Sequence, residues 1–323
     1  MMVSLLMPAK NAANYIAECI DSIIDQTFEN WELCVVDDHS YDHTLDILYQ
    51  KSRQDDRIRV FQNNGKGIIS ALSTAFEKSN GQFISRMDAD DLMAPRKIEL
   101  LHQALIENPN HIVTNKVKYF SEGQLNEGYL KYETWLNALV DHKNHYAEIY
   151  KECVIPSPSW MIERLTLINL GGFSALTYPE DYDLCFKLYQ QKVPIVALND
   201  TLHFWRDYPN RTSRTDRNYS DNSFLELKVK YFIRCDYKAN QPLILWGAGK
   251  KGKRIAQLFK DSKITFRWVT NNSSKLNAPI YDIKLESDSI LEELQNCQVI
   301  LAIAERGFKS QKQEEAHHFF KFC

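Results

Sequence analysis

Three acids crowd into the stretch ISRMDADDLMAP, residues 84–95: Asp88, Asp90 and Asp91. Carboxylates this close repel one another, so their charged forms need water, a cation or a helix N-terminus to compensate. Two explanations compete. Asp91 precedes a Pro95-initiated helical pattern and would cap it. Alternatively, Asp88 and Asp90 hold a divalent metal, which itself holds a phosphate. A second acidic pair, Asp37 and Asp38, directly follows the apolar run LCVV at 33–36.

The elements around these acids decide where they sit. Short apolar runs at Val3–Met7, Leu33–Val36, Ile58–Phe61 and Phe83–Met87 read as buried strands. Helical faces fall between them: Ile16, Cys19, Ile20, Ile23 and Ile24, then a pattern around 45–48, then Ile68, Ala71, Leu72, Ala75 and Phe76. Such alternation predicts a mostly parallel sheet flanked by helices on both faces. Ligands of open parallel sheets bind outside the carboxyl ends of the strands. Asp37 and Asp38 end one strand and Asp88 and Asp90 another, so both clusters belong on one sheet edge. An acid at a strand end also starts turns. Two clusters on one edge favour a site.

The totals limit the chemistry. The chain has 323 residues, 44% hydrophobic and 25% charged, long enough for two globular domains. A net charge of −3 offers no basic excess for a nucleic-acid backbone. Seven cysteines without a CxxC pair predict reduced, mostly buried thiols in a cytoplasmic protein. No apolar stretch approaches the roughly 18 residues that span a bilayer. MMVSLLMPAKN lacks a basic n-region, which argues for a first strand over a signal peptide.

LLMPAKNAANYIAECIDSIIDQTFENWELCVVDDHSYDHT, ISRMDADD, GGF and EDYDL, in that order, resemble the bacterial family 2 glycosyltransferases. The resemblance covers roughly residues 1 to 236. It implies the GT-A nucleotide-sugar-binding fold and a nucleotide-diphosphate sugar donor whose leaving phosphate is held by Mg²⁺ or Mn²⁺. By position in the family motifs, Asp90 is the direct metal ligand, and Asp88 supports the ribose or the metal shell. Asp91 is structural, or supports the residues that hold the metal. Asp38 meets the base, where its carboxylate would accept a uracil N–H, and the backbone of Pro8 and Ala9 lines the base pocket. Lys10 departs from an aromatic common in the family and cannot stack on the base. Asp181 is the base that takes the acceptor's proton in an inverting displacement. Glu180 or Asp181 would otherwise cap the helix carrying Leu184 and Leu188.

The acceptor side is less defined. Gly171 and Gly172 would admit the acceptor sugar close to the backbone or stop a helix, two roles that are compatible. Glu180 is grouped with them, as is Trp160, which would stack on the acceptor or fill core. Arg206, Arg211 and Arg214 lie in FWRDYPNRTSR. A guanidinium fork suits a diphosphate, with Arg211 and Arg214 preferred; a solvated loop balanced by Asp207 and Asp216 is the alternative. His203 reads as packed, with a minor claim on the metal. Ser73 and Ser157 depart from the family pattern and leave the acceptor open.

LILWGAGKKGKRIAQLF is a strand, a Gly-rich turn and a helix, the context of a dinucleotide fingerprint. Gly247, Gly249 and Gly252 could therefore hold a phosphate at the helix N-terminus. The next strand, however, ends in Thr270, Asn271 and Asn272, without the acid that binds a ribose. With one more strand expected, VILAIA, the unit is a small Rossmann-like domain with a structural, regulatory or assembly role.

The expected organisation is a GT-A domain over 1–222, a helical linker over 223–240 and the Rossmann-like domain over 241–323. The expected activity is an inverting, metal-dependent transfer from a UDP-sugar to a hydroxyl of a glycan or lipid-linked acceptor in surface polysaccharide synthesis. Peripheral membrane contact and a homo-oligomer fit such a role. The alternative is a non-catalytic nucleotide- or NAD-binding regulator using the GAGKKG turn. A nucleotidyltransferase would want glycines in MPAKNAANY, which has none.

Overall fold

A computed structural model describes residues 1–173, 177–209, 211, 224–276, 279–303 and 316–323. The chain forms two compact units, Met1–Tyr146 with Cys153–Arg211, and Ala147–Glu152 with Thr212–Cys323.

The first unit is built on an eight-stranded sheet. Its strands are β1 (Val3–Ala9), β2 (Trp31–Asp37), β3 (Ile58–Gln62), β4 (Phe83–Arg86), β5 (Leu92–Met93), β6 (Ile112–Phe120), β7 (Trp160–Glu163) and β8 (Ile195–Arg206), in the order β3-β2-β1-β4-β7-β6-β8-β5. β1 to β4 are mutually parallel, and β7 runs antiparallel between β4 and β6. β1 and β2 are buried almost throughout, as strands covered on both faces must be. Pro8 does not end β1 as its sequence position suggests. Pairing of β1 with β4 stops at Leu6, so beyond it one flank of the strand needs no ladder N–H and proline is tolerated.

Helices α1 (Ile16–Ile24), α2 (Thr44–Ser52), α3 (Ile68–Lys78) and α4 (Lys97–Glu107) follow the predicted alternation. α1 buries Ile16, Ile20 and Ile23 against Leu5, Leu33 and Val35, while α4 brings Ile98, Leu101 and Leu105 into the same core. Each such side chain contributes roughly 1.5–3 kcal/mol on burial. Further along lie α5 (Glu127–His142), α6 (Arg164–Asn169) and α7 (Glu180–Gln190).

The second unit contains α8 (Phe224–Cys235), α9 (Lys250–Asp261) and a parallel sheet of β9 (Leu243–Trp246), β10 (Arg267–Thr270), β11 (Glu286–Ser287), β12 (Gln298–Leu301) and β13 (His318–Lys321). The order β11-β10-β9-β12-β13 is Rossmann-like, with more strands than the apolar runs announce. β11 is two residues long and aligned by the Arg267–Glu286 ion pair, and β13 reads HFFK, so neither carries an apolar strand signal. α8, expected as linker, belongs to this unit, where Phe232 packs against Phe259, Phe320 and Phe322.

Two of the three fingerprint glycines are fixed by packing. Gly247 has φ +118, and a Cβ there would meet the Ala302 carbonyl oxygen at 2.9 Å. A Cβ at Gly252 would lie 2.0 Å from the Gly247 carbonyl oxygen, so α9 can approach β9 only without a side chain. Gly252→Ala is therefore expected to destabilise this unit by about 1–3 kcal/mol, visible as a lower thermal midpoint. A Cβ at Gly249 meets nothing within 4 Å.

Candidate functional site

Because β2, β1 and β4 are parallel neighbours, the residues that leave their carboxyl ends emerge on one edge. Ala9 ends β1, Asp37 ends β2 with Asp38 next, and Asp88 to Asp91 follow β4. Pro8 pairs with Val36 and Ala9 with Asp37, and the Asp38 N–H donates to the Ala9 carbonyl at 2.8 Å.

Asp38 is buried and well supplied with donors. Asn63 Nδ2 at 2.6 Å and Gly67 N at 2.9 Å donate to Oδ1, and Lys10 Nζ donates to Oδ2 at 3.1 Å. Burial works against its charge, but these three donors prevail and hold the carboxyl below the usual range. A base N–H at Asp38 would share Oδ2 with Lys10, whose side chain is 56% exposed.

The acids after β4 divide their tasks. Asp91 is fully buried: its Oδ1 accepts the Arg206 N–H at 2.8 Å and its Oδ2 meets His203 Nε2 at 3.0 Å. It caps no helix, since α4 starts at Lys97 with Arg96 in the cap position. His203 is fully buried, with Lys97 Nζ 2.9 Å from its Nδ1. Lys97 donating to Nδ1 leaves Nε2 as the N–H that donates to Asp91, a neutral tautomer. Burial and Lys97 hold the imidazole well below its normal pKa. With both nitrogens engaged, His203 is a packed residue, as its apolar context suggested.

Asp90 is raised to about 7, by burial first and then by Asp91; Asp88 adds to this, while Arg211 and the Tyr208 hydroxyl oppose it. Tyr208 Oη donates to Asp90 Oδ2 at 2.9 Å. Acid charge at Asp90 is thus incompletely neutralised, and Asp88 and Asp90 supply the hard oxygen donors a divalent cation takes. The residues fit Mg²⁺ or Mn²⁺. Among the described residues no group of three His, Cys, Asp or Glu side chains forms a closed metal cage. Such an ion would complete its shell with water and donor oxygens.

The late basic segment folds onto these acids. Arg206 donates from Nε to the Asp90 carbonyl at 2.8 Å and from Nη2 to Glu18 at 2.6 Å, with Tyr15 and Phe120 against its guanidinium. It is committed to structure. Arg211 is buried against Trp205, and its guanidinium charge is favoured by Asp91, Asp90 and Asp88 despite the cost of burial. Arg214 lies outside the described residues.

Asp181 sits in the first turn of α7 and is partly exposed. Burial and Glu180 raise its carboxyl to about 7, Asp88 adding a little, while Arg86 and the Tyr182 N–H oppose the shift. Tyr182 N donates to its Oδ1 at 2.7 Å. Glu180 is buried, and its Oε1 accepts from Arg86 Nη1 at 2.8 Å; Arg86 Nε also donates to Asp88 Oδ1 at 2.9 Å. Arg86 was missed in the sequence. The available signal was an arginine inside an apolar strand two residues before an acid.

The remaining acceptor residues take structural positions. Gly171 and Gly172 have φ +88 and +53 and close the end of α6, their N–H groups donating to Ile168 and Leu167 carbonyls at 2.9 Å. Trp160 is 2% exposed in β7, inside the core, so its ring is not presented to an acceptor. None of the seven cysteines is in a disulfide, and five are buried, as composition led us to expect.

Residues 4–168 match the sequence family described as glycosyl transferase family 2. The UDP-Glc:alpha-D-GlcNAc-diphosphoundecaprenol beta-1,3-glucosyltransferase WfgD of Escherichia coli is 27% identical over 240 residues, 74% of this chain and 87% of that protein. Glycosyltransferase GlyG of Streptococcus pneumoniae is 26% identical over 228 residues, 68% of this chain and 75% of that protein. Among solved structures, S. aureus TarS 1–349 in complex with UDP-GlcNAc superposes with a TM-score of 0.57 at 18% identity, covering 87% of this chain and 77% of that one. The mannosyltransferase PcManGT of Pyrobaculum calidifontis, in complex with GDP-Man and Mn²⁺, gives 0.53 at 19% identity, over 79% and 68%.

Proposed function

The chain belongs to glycosyl transferase family 2, and from that premise we propose an inverting, metal-dependent transfer of a sugar from UDP to a hydroxyl of a glycan or lipid-linked acceptor. The observation that carries this reading is that the strand-end acids share one edge, while Asp181, tuned near neutrality, lies on the helix tied to Asp88 through Arg86.

The acceptor oxygen attacks the anomeric carbon as the bond to the β-phosphate oxygen breaks, and Asp181 receives the hydroxyl proton. Mg²⁺ or Mn²⁺, when bound, supplies positive charge against the leaving diphosphate. Asp90 and Asp88 would hold it, and Arg211 adds a buried cation beside them. Asp38 accepts the uracil N–H with Pro8 and Ala9 along the base. UDP donors are also supported by WfgD, a UDP-Glc glucosyltransferase, and by TarS in complex with UDP-GlcNAc, and a lipid-linked acceptor by the diphosphoundecaprenol acceptor of WfgD.

Surface polysaccharide assembly on the cytoplasmic side of a membrane is the setting this implies. No helix of the described residues is long and apolar enough to cross a membrane; the contact proposed with a lipid-linked acceptor is peripheral. The catalytic domain is assigned to 1–222. The Rossmann-like domain, 241–323, is assigned a structural or assembly role, with Gly249 the fingerprint glycine best placed to admit a phosphate.

Calorimetric titration of UDP and of GDP, each with and without Mn²⁺, tests the reading. UDP binding that requires Mn²⁺ and exceeds GDP binding is expected. No metal-dependent binding of either nucleotide would sink it.

A further inference from the structure

We propose that Arg86 is a positioning residue: by binding Asp88 and Glu180 at once, it holds Asp181 at the donor end of β4. The inference rests on the transferase reading above and adds a residue to it.

Arg86 is the last residue of β4, in register with Leu6 of β1, and only 4% exposed. Its Nε and Nη1 point to different acids, Asp88 Oδ1 at 2.9 Å and Glu180 Oε1 at 2.8 Å, the latter 94 residues away in sequence. Asp181 bonds to the adjacent Tyr182 N–H, so its carboxylate travels with the helix end. The α7 N-terminus favours acids through its dipole but does not by itself fix their distance from Asp88. Without a cation among them, Asp88, Glu180 and Asp181 would repel, driving the first turn of α7 from the strand. A buried ion pair of this kind adds little net stability, and fixing one arrangement is the function left to it. The guanidinium fork matters as well as its charge, because a lysine ammonium is one point and reaches one acid well.

The test compares Arg86→Lys, Glu180→Ala and the double variant with wild type. UDP release from UDP-glucose and UDP-N-acetylglucosamine reports turnover, with water as acceptor, and calorimetry with Mn²⁺ reports UDP affinity. Arg86→Lys keeps the charge and is expected to fold, with turnover down roughly 100-fold, the cost of a misplacement of about 1 Å, and UDP affinity within about tenfold. Glu180→Ala, which leaves no acceptor for Arg86 Nη1, should show a similar loss, and the double variant little more than either, because both break one link. If Arg86→Lys does not fold, Glu180→Ala alone decides: turnover lost with UDP affinity kept supports the proposal, and unchanged turnover overturns it. Wild-type turnover in Arg86→Lys, or losses that multiply in the double variant, would overturn this inference alone. Wild-type protein that neither binds UDP nor releases it would overturn the transferase reading, and this inference with it.

Discussion

Asp181→Asn should lower turnover by roughly 10²–10⁴-fold, the span expected for losing a general base, while UDP binding with Mn²⁺ stays at wild-type strength. Asparagine keeps the size and the Tyr182 N–H contact at Oδ1 but cannot take a proton. The pH profile carries a second expectation. Burial and Glu180 raise the Asp181 carboxyl to about 7, and only the ionised form can act as base. The active form is therefore present above that pH and lost below it. With Mn²⁺ saturating, which keeps Asp90 ionised, kcat/KM should fall tenfold per pH unit on the acid side of about 7, and this limb should flatten in Asp181→Asn. A variant that retains turnover would move the base role to another acid, and one that loses UDP binding would make Asp181 part of the donor pocket.

Much of this site was legible because it hangs on strand ends. Apolar runs followed by acids place Asp38, Asp88 and Asp90 on one edge as soon as the sheet is parallel, and β2, β1 and β4 are parallel neighbours. Glycines were less legible, since the same residues serve a close approach and a helix stop at once; Gly171 and Gly172 close the end of α6, which is compatible with an acceptor passing over them. Arg86 was illegible for a different reason. Its partner Glu180 is brought to it only by tertiary packing, and within FISRM it reads as one polar residue in a short strand. The same holds for Lys97, a helix residue by pattern that is fully buried on the Pro158 carbonyl and His203. Charged residues inside a core leave no periodic trace; their partners must be known first.

Asp90→Ala is expected to abolish the Mn²⁺ dependence of UDP binding and to reduce turnover by roughly 10²–10⁴-fold. A metal against a leaving phosphate contributes several kcal/mol, at about 1.4 kcal/mol per factor of ten. The same substitution should leave thermal stability at neutral pH unchanged or raise it. Burial and Asp91 push the Asp90 carboxyl up to about 7, which means that the fold disfavours its charged form. A group raised in this way favours the fold at low pH, where it is protonated, and burdens it as pH climbs through its folded value. Removing it therefore relieves repulsion with Asp91 and Asp88, and the gain should grow from about pH 4 to pH 7 and level off above that. Loss of function with stability gained is the signature of an acid kept for a ligand. Stability lost together with activity would instead give Asp90 a structural task beside Asp91, whose two oxygens already tie the β4 turn to Arg206 and His203.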